Sequence, residues 1–230
     1  MKSNVKKERL KALVEELGRK YSEILHIDLS KGEDEEVFKW FLASVLFGAP
    51  ITENSVIKTF NCFRKHSFLT PERILETGWD KIVKILDEGG YTRYDFKTAD
   101  KLLEVMKNLM EEYGGSLTVL QSEASDARDL EKRLRELGKG VGNVTVGIFL
   151  RELRQVWEKA DPNPTDLVVL AAKNLKIVDE ETTARSSLEQ LKNFWSKNKV
   201  AGKSFVEFET ALVRFGKDLR RKQRRPVLSS

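Results

Sequence analysis

Cysteine is nearly missing from this chain: Cys62 stands alone, so no intrachain disulfide framework is possible and a cytoplasmic setting is expected. Its place among Phe60 and Phe63 reads as an ordinary buried thiol. Histidine is almost as scarce, and neither His26 nor His66 has a partner at metal-ligand spacing, so no metal centre is expected. No apolar run has membrane-spanning length, and the charged Lys/Glu segment at the N-terminus is unlike a signal peptide. Internal repeats and long low-complexity linkers are also absent. What remains is 230 residues, 40% hydrophobic and 33% charged, enough for one good-sized core or two small ones. The net charge of +5 is modest but uneven, with Arg214, Lys217, Arg220, Arg221, Lys222, Arg224 and Arg225 crowded near the C-terminus. Such a run is either a solvated tail or a contact for a polyanion.

Apolar residues recur at helical spacing along most of the chain. Leu10, Leu13, Val14 and Leu17 form one stripe, Val37, Trp40, Phe41, Ser44 and Val45 a second, and Val56, Phe60 and Phe63 a third. Leu102, Leu103, Met106 and Met110 make a fourth. The five prolines fall where stripes break, and Gly114 with Gly115 closes a helix. Leu117 to Leu120 is the one strand-like piece, too isolated to imply a sheet. The fold class is therefore all-α.

Between two of these helical segments lies Leu137-Gly138-Lys139-Gly140-Val141-Gly142-Asn143-Val144-Thr145. Asp126 is placed to cap the first helix, whose apolar side is Ala127, Leu130, Leu134 and Leu137; Val144, Ile148, Phe149 and Val156 suggest the stripe of the second. Glycines at 138, 140 and 142 permit positive φ and close approach, and the second helix would present free N–H groups suited to an anion. A plain glycine-rich link between antiparallel helices has the same appearance. No strand precedes the turn and no Gly-Lys-Ser/Thr follows it, which argues against a dinucleotide fingerprint and excludes a Walker loop.

Residues 137–145 resemble the L-P-G-V-G-x-x-T hairpin of the helix-hairpin-helix DNA glycosylases, the endonuclease III superfamily. Phe41 to Val56 resembles that family's first barrel helix and following loop, and Gly89-Gly90-Tyr91 to Lys97 and Ala99 its G-x-x-x-x-K-A segment. The similarity covers about residues 36 to 165. It implies a two-lobe fold: a six-helix barrel over 36–154 carrying the helix-hairpin-helix motif (about 127–157), and a second lobe from 1–35 plus 155–230 with the cleft between. It also implies a monomeric, nucleoid-associated protein acting on double-stranded DNA with a damaged or mismatched base.

By the same resemblance, Asp161 is the essential carboxylate at the start of the helix after the hairpin, with Pro162 in its first turn. A plain helix cap is the alternative, and Asp166 the fallback. Bifunctional relatives carry a lysine nucleophile where this chain has Val144, so water is the expected attacking group. Lys139, in the place of the family proline, is read as a phosphate contact or, less simply, a displaced nucleophile. A fold-retaining, non-catalytic DNA binder and a lyase using another lysine stay open. Gly138, Lys139, Gly140, Val141, Gly142, Asn143 and Thr145 are the expected DNA-binding residues, with Pro50 or Ile51 as a wedge and Arg220 and Arg221 as backbone contacts. Pro50 reads equally as the end of a helix. Val144, Tyr91 and Tyr94 are expected at the base pocket, with Phe96 nearby, although tyrosines packed between helices look the same in sequence. Many relatives hold an iron-sulfur cluster near the position of Arg220; lacking thiolates there, this chain is expected to have no such cofactor.

Overall fold

The structure, a computed structural model, describes residues 2–224, with side chains from 7 to 223. Arg225, the last residue of the basic segment, lies outside the described residues, as does the side chain of Arg224. Among the described residues there are thirteen helices and no strand. In order they are α1 (Lys2–Leu17), α2 (Tyr21–Ile24), α3 (Asp34–Phe47), α4 (Glu53–Lys65), α5 (Pro71–Thr77), α6 (Trp79–Glu88) and α7 (Asp95–Tyr113). They continue as α8 (Leu117–Glu123), α9 (Ala127–Glu136), α10 (Asn143–Leu153), α11 (Asp166–Asn174), α12 (Ala184–Lys197) and α13 (Phe205–Arg224). None is long and apolar enough to cross a membrane.

The expected strand-like piece at 117–120 is the start of α8. Ser116 caps it by accepting the Val119 N–H at 3.1 Å, and Leu117 and Leu120, three apart, are both buried while Val119 faces out. A cap plus one buried helical edge outweighs the β preference of Thr118 and Val119.

The chain divides into two compact units, one from Ser22 to Pro162 and one from the residues before Ser22 and after Pro162. In the larger unit α3 is apolar nearly all round, and its residues Val37, Phe38 and Trp40 to Leu46 are buried. That is the pattern of a helix enclosed by others. Trp40 Nε1 donates to the Phe149 carbonyl at 2.9 Å, and Phe41 meets Phe149 edge-on at 5.1 Å between ring centres. These contacts fix α10 against α3. Each large side chain so buried contributes about 1.5–3 kcal/mol relative to exposure.

In the other unit Val14, Val168, Ala171, Leu191, Trp195, Phe208 and Leu212 share a core, with Trp195 stacked on Phe208 at 5.1 Å. Gly216 lets α13 reach α11, since a Cβ there would stand 2.1 Å from the Leu167 carbonyl oxygen. The basic segment is the end of α13 as far as it is described. Arg214 donates to the carbonyls of Leu17 and Arg19 and lies over the Tyr21 ring, and Lys217 reaches the Tyr21 hydroxyl at 3.3 Å. Part of that charge therefore ties α13 to the chain before Ser22.

Candidate functional site

The hairpin forms as its sequence requires. Asp126 accepts the N–H groups of Arg128 and Asp129, both at 2.8 Å, to start α9. Gly140 takes φ of +88°, which reverses the chain, and Val141 is tucked in with its N–H on the Gly138 carbonyl. Helix α7 braces the turn: Glu104 accepts the Lys139 N–H at 3.1 Å, and Asn108 donates to the Leu137 carbonyl at 2.9 Å.

Gly142 is the N-cap of α10 and has no side chain to spend on the helix end. The first amide with a helical acceptor is that of Val146, on the Gly142 carbonyl. The N–H groups of Asn143, Val144 and Thr145 precede it and have no acceptor among the described residues. Asn143 is exposed, its side-chain oxygen accepting from Arg135 at 3.2 Å, and Val144 is 58% exposed. The expected apolar stripe of this helix is therefore out of phase. Thr145, Val146, Phe149, Leu150 and Leu153 face inward, and α10 ends before Val156. Lys139 and Gly140 are exposed, and Gly138 is buried.

Thr145 packs where Gly48, at the end of α3, leaves room. This contact brings the start of the 48–52 loop beside the hairpin helix. Pro50 is exposed in that loop, Ile51 is half-buried with its N–H on the Ala49 carbonyl, and Thr52 caps α4. Pro50 thus follows a helix end and is open to solvent at once.

Tyr91 sits elsewhere. It is fully buried, its hydroxyl donates to the Leu46 carbonyl at 2.6 Å, and burial pushes the phenol well above its ordinary range. A ring so enclosed packs helices together and offers no face to a base. Tyr94 is half-buried at the start of α7 with Arg93 over its ring. Phe96 is 57% exposed and lies 5.2 Å from Trp79, whose Nε1 donates to Asp100. Cys62 is only partly buried; burial, then Glu88, pushes its thiol up, away from the thiolate. In the other unit, Arg220 and Arg221 are exposed on α13, and Arg221 pairs with Asp218 at 3.2 Å.

Asp161 does not begin a helix. Pro162 and Pro164 hold the residues before them out of the α region, so the chain runs irregularly until Thr165, the N-cap of α11. The acid in the first turn of that helix is Asp166, which is exposed. Asp161 is instead held by Arg154, whose side chain is 6% exposed against 40% for the acid. The same guanidinium donates to the Pro162 carbonyl. Lys159 also fastens the loop, through the carbonyls of Gln121, Ser122 and Ala124 at the end of α8. Arg154 and Lys159 went unnoticed in sequence, since neither follows a motif or a period. With eleven residues in α10, the hairpin amides and Arg154 stand about 16 Å apart, at opposite ends of the helix.

Among the described residues no three His, Cys, Asp or Glu side chains gather as a metal would need. No family model and no curated protein sequence matches the chain. Among solved structures, the Helicobacter pylori 3-methyladenine DNA glycosylase MagIII bound to 1,N6-ethenoadenine is similar at 13% identity, with a TM-score of 0.59 over 96% of this chain and 99% of that one. The chain therefore has the all-α fold of a DNA glycosylase.

Proposed function

We propose that this protein is a base-excision DNA glycosylase, hydrolysing the bond between a damaged or mismatched base and deoxyribose in double-stranded DNA. The observation that carries the reading is the bare start of α10: three amides without acceptors, behind a glycine N-cap that supplies no oxygen. A Cβ on Gly142 would meet nothing within 4 Å, and its φ of −95° suits any residue. Packing within the protein does not demand glycine there. A capping Ser or Asp would stabilise the helix by roughly a few tenths of a kcal/mol over glycine, yet would occupy amides that a DNA phosphate can use. The fold, shared with a glycosylase that was solved with a modified adenine, supports the same assignment.

In the proposed reaction the C1′–N bond breaks, water supplies the new C1′–O bond, and one of its protons ends on the departing base. Val144 offers no nucleophile, so the protein acts as a monofunctional enzyme. A carboxylate from the 161–166 segment stabilises the oxocarbenium-like charge and orients the water. Asp161 is the first assignment, held in place by its ion pair with Arg154. A second reading gives this role to Asp166, because the helix after the hairpin begins there. Exposed Pro50, or the half-buried Ile51 that follows it, fills the gap left by the rotated nucleotide. An iron-sulfur cluster does not fit a chain with one cysteine, which lies in α4. The protein works as a monomer at the nucleoid.

The test is incubation with duplexes that each carry one altered base, ethenoadenine and 3-methyladenine among them, followed by detection of the free base. Release without strand cleavage, and without a borohydride-trapped adduct on an abasic duplex, is expected. Binding without release from any duplex would identify a non-catalytic DNA binder. A trapped adduct would identify a lyase with its own lysine.

A further inference from the structure

Lys101 on α7 belongs to none of the motifs, yet it lies against the turn of the hairpin. A Cβ at Gly140 would stand 2.7 Å from Lys101 Cε and 3.4 Å from its Nζ, so the glycine makes room for the lysine stem as well as for the positive φ. The side chain is half-buried, and that burial pulls its ammonium below the usual lysine range. No carboxylate offsets this: among the described residues Nζ has neither a hydrogen bond nor an ion pair, and the nearby Glu104 carboxylate accepts the Lys139 amide. A desolvated cation without a counter-ion gains from an incoming anion.

We propose that Lys101 is a DNA-backbone contact, its ammonium beside the Gly140 turn neutralising a phosphate of the strand held by the amides of residues 143–145. This rests on the reading of the hairpin as a DNA grip. The lysine supplies the full charge that backbone amides lack, and its stem, laid across the turn, sets where that charge stands. Backbone neutralisation of this kind is indifferent to sequence and is displaced by salt.

The experiment measures affinity of the whole protein for an undamaged duplex by fluorescence anisotropy over a range of salt concentrations. Lys101→Met keeps the apolar stem and removes the charge. It is expected to weaken binding at low salt and to reduce the slope of log K against log salt by about 0.9, the value for one phosphate contact. Lys101→Arg is expected to retain the slope. Lys107→Gln, at an exposed lysine on the same helix paired with Glu111, is expected to leave it unchanged. An unchanged slope in a folded Lys101→Met protein, or an equal loss in the Lys107 variant, overturns the proposal. If the wild-type protein itself shows no duplex affinity, the hairpin reading fails. If the wild type binds and Asn143→Pro weakens it while Lys101→Met does not, only the lysine proposal fails.

Discussion

A Cβ on Gly48 would stand 2.2 Å from the Thr145 hydroxyl oxygen, so the end of α3 and the first turn of α10 meet only because residue 48 lacks a side chain. The contact joins the loop carrying Pro50 to the helix whose amides are free. Gly48→Ala is expected to destabilise the protein by about 1–3 kcal/mol through overpacking. Thr145→Ala removes the clashing oxygen, so the double variant should recover about 1 kcal/mol or more of that loss. Denaturant unfolding of the two single variants and the double variant checks this, and strict additivity would deny the contact.

Tyr91 gives a separation of stability from chemistry. Tyr91→Phe removes the bond to the Leu46 carbonyl and should cost about 1 kcal/mol in unfolding free energy, read from the midpoint of denaturation. Base release at saturating enzyme should not change. A selective loss of release would return Tyr91 to the base pocket.

Arg154 and Asp161 define the next expectation. Asp161→Asn should abolish base release while leaving duplex affinity near that of the wild type, and Arg154→Met should lower the rate of release with little change in affinity. Both read the reaction rather than binding. Full activity of Asp161→Asn, with loss in Asp166→Asn, would move the essential acid to the start of α11.

In the other unit Glu207 accepts the Ser204 N–H at 2.7 Å and pairs with Lys203 at 3.0 Å, forming one half of a capping box for α13. Burial pushes its carboxyl up, but these partners outweigh it and hold the group below its usual range. A carboxyl depressed in the folded state contributes stability that is present above its unfolded pKa and lost as pH falls through the folded value. The wild type should therefore lose stability on acidification through the carboxylate range. Glu207→Gln should be less stable at neutral pH, by about 1 kcal/mol, and should show a smaller part of the acid loss.

Much of this was legible in the sequence because it is local. The Asp126 cap, the reversal at Gly140 and the apolar α3 each follow from a few neighbouring residues. The 117–120 segment was misread because its β-rich composition hid a cap at Ser116 and a buried Leu117–Leu120 edge. The phase of α10 was misread because Val144 is apolar yet exposed, while Thr145 is polar yet buried beside Gly48. Asp161 was expected at a helix start because Pro162 suits a first turn, but a second proline two residues on delays the helix. Arg154, Lys159 and Lys101 act across gaps in sequence that no periodicity records.

Asn143→Pro separates a helix start whose free amides grip a DNA strand from one whose amides face only water. Gly142 is extended at ψ of −178° and residue 143 is the first of the helix, so proline fits both positions and deletes one N–H without breaking the helix. Asn143→Ala controls for loss of the side-chain contact to Arg135. The measurement is duplex affinity of the two variants at one salt concentration. With melting temperatures matched, the proline variant is predicted to bind about ten-fold or more weakly than the alanine variant, as expected for one lost hydrogen bond to a charged phosphate. Equal affinities would mean that these amides do not hold the strand.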